Sequence, residues 1–246
     1  MILKNTISML ILFCSNLLLG QTTDVSILYL DKVEMLSFDG VNPSMIPRIK
    51  AMMSKKKKIF SFTQHDGHSL YRFADNNDQI VDFGNLQISN IDDYYYKSVD
   101  CNQFDAVQSI NDVEYHVVDV IPTLEWNLEN GQSRVLNYNV YTATTPGDCI
   151  LGATFDTIKV WFTTEIPISN GPYLFQGLPG MILKVEMSNW QVKRTIEAKE
   201  IVLNKTMKVI KPTIKADKEV GLDELCQINN KFKGEQIAKG KFHKKK

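Results

Sequence analysis

The sequence lacks the short motifs that mark most enzyme active sites. It contains no Gly-x-Ser-x-Gly elbow, no His-Glu-x-x-His pair and no glycine-rich phosphate-binding loop. A Ser-His-Asp triad is assembled from distant residues, so the missing motifs do not exclude one. The sequence therefore assigns no catalytic residue and no cofactor, and it favours a protein without enzymatic activity.

An excess of one charge is also missing, since 28 basic residues balance 28 acidic ones. Proteins that bind nucleic acid normally carry a basic face, so we expect no nucleic-acid partner. The lysines cluster locally, in the run Lys55–Lys58 and in the tail from Lys231 onward. Such runs are typical of solvated surface and frayed termini. Contact with an anionic surface, such as lipid headgroups, is the functional alternative.

Long apolar runs are confined to the first twenty residues. This segment combines Lys4, an apolar stretch from Ile7 to Leu19 and the small residue Gly20. That is the three-part pattern of a secretory signal peptide, and the stretch is too short to span a bilayer comfortably. We therefore predict a cleaved signal at residues 1–20, an exported mature chain and no transmembrane segment after cleavage.

Cysteines are few, and three remain after the predicted cleavage: Cys101, Cys149 and Cys226. In an oxidising compartment two of them can pair and one is left over. Their spacings are long and contain no Cys-x-x-Cys, which argues against zinc and leaves the pairing open.

Candidate metal ligands are equally sparse. His65 and His68 flank Asp66-Gly67, and imidazoles on either side of a tight hairpin can converge on zinc or copper. Two ligands make a weak site, and polar residues at a hairpin tip are ordinary. We predict no metal site, with this pair as the weak alternative.

Most of the chain has the pattern of β-strands. The clearest case is Gln191–Glu200, where polar residues alternate with Val192, Arg194, Ile196 and Ala198. Asp66-Gly67 predicts a two-residue hairpin turn. The other predicted strands are residues 25–38, 57–63, 70–73, 114–121, 134–144, 157–164 and 181–187.

Helix is predicted only for Pro47–Ser54 and for Asp223–Lys233, with Gly234 ending the second helix. We therefore predict a single, mainly β domain over residues 21–246. Its architecture is one antiparallel, strongly curved sheet or open barrel with a few short helices. The helix and tail from about residue 223 are basic.

The densest group of turn residues lies between Trp161 and Val185. Leu178–Met181 has proline and glycine where a type II turn requires them, which predicts a positive φ at Gly180. Gly171-Pro172-Tyr173 is a second turn. Aromatic residues on rigid turns can form a ligand platform, although they more often pack in a core. Glu165 is the most plausible acidic group in a cleft.

Several ordered motifs in this region resemble the GLPGLI family. They are Leu136–Ala143 (LNYNVYTA), Trp161–Ile168 (WFTTEIPI), Gly171-Pro172-Tyr173 and Gly177–Ile182 (GLPGMI). The resemblance covers about residues 126–201, with Met181 in place of the usual leucine. It implies a β-rich protein exported to the periplasm or outer side of the Gram-negative envelope in Bacteroidota. It supplies no reaction.

The leading hypothesis is a non-enzymatic accessory protein that binds an envelope protein, a peptide or another small ligand. The alternatives are a lipid or lipoprotein carrier of the open-barrel type, and a secreted hydrolase built from Glu165, His116 and nearby aspartates. A purely structural role for the GLPGMI turn also stays open. The candidate binding residues come from the family motif: Trp161, Glu165, Pro172, Tyr173, Gly177, Leu178, Pro179 and Gly180.

Overall fold

The computed structural model describes residues 24–39, 42–55, 57–74, 94–110, 113–147, 155–190, 192–204, 208–214 and 216–238. The predicted signal peptide and the end of the basic tail lie outside these ranges. Within them, no helix is both long enough and apolar enough to cross a membrane.

Twelve strands in the described part of the chain form one sheet. They are β1 Val25–Met35, β2 Lys57–His65, β3 His68–Phe73, β4 Tyr94–Ser98, β5 Gln103–Ile110, β6 Val113–Val120, β7 Asn127–Val135, β8 Tyr138–Pro146, β9 Thr157–Thr163, β10 Met181–Ser188, β11 Val192–Leu203 and β12 Lys218–Val220. Helix α1 is Ile46–Lys55, which follows a 3-10 turn at Pro43–Met45, and α2 is Leu222–Ala238.

The strand order is β12-β6-β5-β4-β3-β2-β1-β11-β10-β9-β8-β7, with β12 and β7 at open edges. The predicted mainly β fold with a few short helices is confirmed. The prediction of a strictly antiparallel sheet is wrong, because β12 runs parallel to β6, with Lys218 opposite Tyr115. The chain crosses from β11 to the far edge before β12 forms, so no hairpin dictates the direction of β12.

The sheet curves strongly enough to bring non-adjacent strands together. β4 and β10 are five places apart in the order, which is about 24 Å at the usual strand spacing in a flat sheet. Asn170 nevertheless reaches both strands. Its backbone oxygen accepts a hydrogen bond from Ile182 N of β10 at 2.9 Å, and its side chain contacts Lys97 of β4. The sheet is therefore bent into an open half-barrel with a concave inner face.

Local patterns account for the elements that were predicted well. Ile196 and Ala198 of β11 are buried, while Glu197 and Lys199 alternate with them on the outer face. Asp66 and Gly67 have φ values of 46° and 73°, as a two-residue hairpin turn of the I′ type requires. The alternation and this hairpin are confirmed.

Three predicted boundaries are wrong. Strand β1 ends at Met35, three residues before the predicted end at residue 38. The segment predicted as one strand over residues 134–144 is divided by a turn at Leu136-Asn137, where Leu136 has a φ of 53°. Helix α2 also continues through Gly234 to Ala238. The side chain of Asp119 accepts a hydrogen bond from Leu222 N at 2.9 Å and so supports the beginning of that helix.

Candidate functional site

The connection between β9 and β10, residues 164–180, lies against the concave face of the sheet. We call it the concave connection. Leu174 and Phe175 are fully buried, and Leu178 is 3% exposed. These side chains belong to the same core cluster as Tyr29 and Phe62 of the sheet. The connection thus occupies the space in which an open-barrel carrier would hold lipid, and a carrier function would require it to move away.

A row of polar side chains on the sheet forms hydrogen bonds with the concave connection. Gln64, Ser69 and Lys97 are register partners across β2, β3 and β4. The side chain of Asn170 lies over them, and its Nδ2 donates to Gln64 Oε1 at 2.6 Å and to Ser69 Oγ at 3.1 Å. Lys97 Nζ donates to Asn170 Oδ1, and also to Gly171 O at 3.0 Å. We call these four side chains the Lys97 network.

Tyr173 is held in an unusual backbone conformation on the same face. Its φ is 52°, which is strained for a bulky side chain. Its ring centroid lies 4.6 Å from that of Tyr71 and 4.8 Å from that of Tyr95. Arg194 donates a hydrogen bond to its hydroxyl. Tyr173 is only 4% exposed, so its ring packs in the core.

Arg194 is itself fixed by a bidentate ion pair with Asp31. The Nε–Oδ1 distance is 3.0 Å and the Nη2–Oδ2 distance is 2.5 Å. The two side chains are 11% and 4% exposed. Burial alone would lower the pKa of Arg194, but the neighbouring Asp31 carboxylate raises this pKa well above its ordinary value. The pair therefore stays charged in the concave face.

The GLPGMI segment is not the predicted type II turn. Among the described glycines, the positive φ values are at Gly67 and Gly177 (93°), and not at Gly180. Met181 N donates to Ile166 O at 3.0 Å, whereas a type II turn would direct it to Leu178 O. Gly180 is required for another reason: a Cβ there would lie 2.0 Å from Thr163 O.

The structure separates the other candidate binding residues. Pro172 is buried, while Gly177 and Pro179 are exposed. Trp161 alternates with the inward-facing Val160 and Phe162, so it lies on the outer face of the sheet. There the ammonium of Lys184 is 4.2 Å from its ring centroid. Trp161 and Tyr173 therefore do not form one aromatic site.

Glu165 lies in a surface pocket of about 450 Å³. Its Oε1 accepts hydrogen bonds from Asn139 N at 2.9 Å and Asn139 Nδ2 at 3.1 Å. These contacts tie the turn after β9 to the beginning of β8 and fix the position of the carboxylate. The pocket is lined by the following residues: Leu136, Asn137, Tyr138, Glu165, Lys199, Glu200 and Ile201.

The pocket combines acidic groups with an apolar rim. Glu165 and Glu200 bring two carboxylates, and the lining cation Lys199 is already paired with Glu197 at 2.7 Å. Leu136 on the rim is 45% exposed and has a positive φ. A positive φ is uncommon for a leucine, and residues in such strained backbone conformations cluster at functional sites.

His116 and Glu165 are not brought together. His116 Nε2 is 3.1 Å from Asp105 Oδ2, and its Nδ1 is 3.1 Å from Glu219 Oε2. His116 is on β6, second in the strand order, whereas Glu165 is bonded to β8, eleventh in that order. Since both ring nitrogens of His116 face carboxylates, neither is free to activate a hydroxyl nucleophile. The hydrolase constellation proposed from the sequence is therefore not assembled.

Asp105 is a buried carboxylate on the outer face, 4% exposed. Burial alone would raise its pKa, but hydrogen bonds from Lys211, His116 and Tyr94 outweigh burial and hold the pKa below its ordinary 3.8. The folded state therefore binds the proton less readily than the unfolded state. The stability that Asp105 contributes is complete above about pH 4 and is lost as the pH falls further.

We expect Asp105→Asn to make the free energy of unfolding depend less steeply on pH below about pH 4. The wild-type free energy of unfolding should fall more steeply below about pH 4 than that of the variant, because only the wild type gains this proton on unfolding. Urea titrations at several pH values measure the slope. The exposed Asp156 provides the control, and Asp156→Asn should keep the wild-type slope. Equal slopes for wild type and Asp105→Asn would contradict the expectation.

The histidines that flank the hairpin turn have separate partners. His65 Nδ1 is 2.8 Å from Asp24 Oδ1, and His68 Nδ1 is 3.0 Å from the hydroxyl of Tyr96. Within the described ranges, no group of three or more His, Cys, Asp or Glu side chains is placed to hold a metal ion.

The cysteines divide into one paired residue and one free residue in the described part of the chain. Cys226 of α2 is disulfide-bonded, and its partner lies outside the described residues. Cys101, in the turn between β4 and β5, is exposed and free. The arrangement agrees with one disulfide and a leftover thiol.

Sequence comparison gives one partial match. A family profile described as "Protein of unknown function (Porph_ging)" matches residues 152–184. This range carries part of the resemblance to the GLPGLI family and contains β9, the concave connection and the start of β10. No curated protein matches the sequence significantly.

Structural comparison finds the same fold in PNGF-II. In one crystal form, PNGF-II aligns with 85% of this chain at 16% identity and a TM-score of 0.51, and in a second form with 84% at 15% and 0.50. The chain spans only about one third of the length of PNGF-II.

A third alignment is much weaker. A domain from Vibrio parahaemolyticus described as an outer membrane lipoprotein-sorting protein aligns with 77% of this chain and 88% of its own length, at 8% identity and a TM-score of 0.31. A TM-score this low supports no inference. The chain is thus similar, over residues 152–184, to a family of unknown function, and its fold is similar to one part of PNGF-II.

Proposed function

We propose that this chain is an exported, non-enzymatic protein of the cell envelope whose ligand site is the pocket beside Glu165. The observation that carries the proposal is the position of Glu165. It is a candidate from the family motif that lines a surface pocket, and its carboxylate is held in place by Asn139. The proposed export rests on the signal-peptide pattern of residues 1–20.

The lining of the pocket favours a cationic group attached to an apolar body. Glu165 and Glu200 attract a positive charge, and the lysine of the pocket lining, Lys199, is paired with Glu197. The apolar rim of Leu136, Tyr138 and Ile201 suits methylene groups next to that charge. Lysine and arginine side chains of a peptide have this combination, so the proposed ligand is a basic peptide segment.

The test uses a short peptide with one lysine between apolar residues, and a matched peptide with norleucine in place of lysine. We expect binding of the lysine peptide, followed by NMR chemical-shift changes at Leu136, Tyr138 and Ile201. Glu165→Gln keeps an oxygen for Asn139 and removes the charge. It should weaken binding about tenfold, which corresponds to about 1.4 kcal/mol. The exposed Glu224→Gln on α2 is the control and should bind as the wild type does.

Equal binding of the two peptides, or unchanged affinity in Glu165→Gln, would contradict the proposed site. A carrier function makes a different prediction. Lipid extracted from protein purified without detergent, together with solvent exposure of Leu174 and Phe175 in hydrogen exchange, would favour the lipid-carrier alternative. In that case the concave connection would have to leave the face that it now covers.

A further inference from the structure

Lys97 is an anomaly in the core. Its side chain is fully buried, and burial of a lysine normally requires an acidic partner. No carboxylate of the described residues lies within ion-pair distance of its Nζ. Its contacts are instead three carbonyl oxygens: the side chain of Asn170, Gly171 O at 3.0 Å and Phe175 O at 3.4 Å. A permanent ammonium at this position would be costly.

We propose that Lys97 Nζ and Asn170 Cγ become joined by an intramolecular isopeptide bond once the protein has folded. The bond would link β4 to the concave connection, across 73 residues of sequence. It would replace the buried ammonium by a neutral amide. The reaction needs no other protein, because the fold itself places the amine against the side-chain amide.

The surroundings of Asn170 fit an acyl transfer. Its Oδ1 accepts a hydrogen bond from Gly171 N at 2.8 Å, and this donor can stabilise the negative charge that develops on the oxygen during attack. Its Nδ2, the leaving nitrogen, is held by Ser69 Oγ at 3.1 Å and Gln64 Oε1 at 2.6 Å. Together with the contact from Lys97 Nζ to Oδ1, these hydrogen bonds hold the side-chain amide of Asn170 next to the amine.

The step balances in atoms and charge. The uncharged amine of Lys97 attacks Cγ of Asn170, and an Nζ–Cγ bond forms. The Cγ–Nδ2 bond breaks, and one proton passes from Nζ to Nδ2. Ammonia leaves, and no oxidant or reductant takes part. Burial lowers the pKa of Lys97 to about 7, so an uncharged amine is available near neutral pH.

Tryptic mass mapping of the wild-type protein tests the proposal directly. Trypsin does not cleave after an acylated lysine, so residues 73–134 should remain one peptide, joined to residues 160–184. The branched product should weigh less than the sum of the two peptides by one ammonia molecule. The sample should be the purified, folded protein, kept at pH 8 and then denatured and reduced before digestion.

Lys97→Arg and Asn170→Ala should each abolish the branched peptide completely, because each removes one reactant. The wild-type result alone decides the proposal, so it stays falsifiable even if a variant folds poorly. Complete tryptic cleavage after Lys97 in the wild type, with residues 160–184 recovered at their full unmodified mass, would overturn it. The outcome does not depend on the pocket at Glu165.

Discussion

Gly180→Ala should lower the free energy of unfolding by about 3 kcal/mol or more. The added Cβ would lie 2.0 Å from Thr163 O and 2.6 Å from its carbonyl carbon. Both atoms are backbone atoms at the end of β9, so no side chain can rotate away to make room. The beginning of β10 or the turn after β9 must shift instead. Urea-induced unfolding followed by tryptophan fluorescence measures the effect.

The control for this substitution is Gly131→Ala on edge strand β7. A Cβ at Gly131 meets nothing closer than Thr142 Oγ1 at 3.7 Å, which is an ordinary contact distance. Its effect should stay within about 1 kcal/mol, the range of the intrinsic difference between glycine and alanine. Similar unfolding midpoints for the two variants would show that the close approach at Gly180 relaxes easily.

Arg194→Met should destabilise the protein by about 3–5 kcal/mol. The substitution leaves the Asp31 carboxylate buried without its bidentate partner and removes the hydrogen bond to Tyr173. The loss should far exceed that of Lys199→Met, which breaks the more exposed Lys199–Glu197 pair. For that exposed pair we expect less than about 1 kcal/mol.

A second substitution separates the lost attraction from the penalty of the unpaired charge. Adding Asp31→Leu to Arg194→Met removes the orphaned carboxylate, so the double variant should recover at least half of the lost stability. Chemical unfolding of the two single variants and the double variant completes the cycle. If Arg194→Met proves as mild as Lys199→Met, the buried pair does not support the concave connection.

The sequence predicted features that depend on near neighbours. The alternation of buried and exposed side chains along β11 and the Asp66-Gly67 turn each depend only on neighbouring residues, and both are present. The role of Gly180 was missed because it depends on the backbone of Thr163, brought close by the fold. The Pro-Gly motif predicted a positive φ at Gly180. The structure instead requires glycine there because a side chain would collide with the backbone of Thr163.

In the candidate site, too, the sequence predicted what depends on neighbouring residues and missed what depends on distant ones. The sequence indicates Glu165 as the acidic group beside the aromatic residues of the turn region, and Glu165 lines a pocket. Lys97 was missed, since a lysine in a short strand ordinarily points to solvent. The one local hint is that Tyr95 and Lys97 share a face in a strand rich in tyrosine. Its partner Asn170 is 73 residues away, and no periodicity connects them.

The place of β1 in the strand order has a consequence for how the protein is made. This first strand pairs with β11, so that Val25 lies opposite Leu203. The pairing of β1 with β11 therefore cannot form until the chain has emerged from the ribosome as far as Leu203. Contacts this distant slow folding, because a large loop must close before they form. Export across a membrane, which the signal-peptide pattern predicts, would be helped by this delay if the chain crosses before it folds.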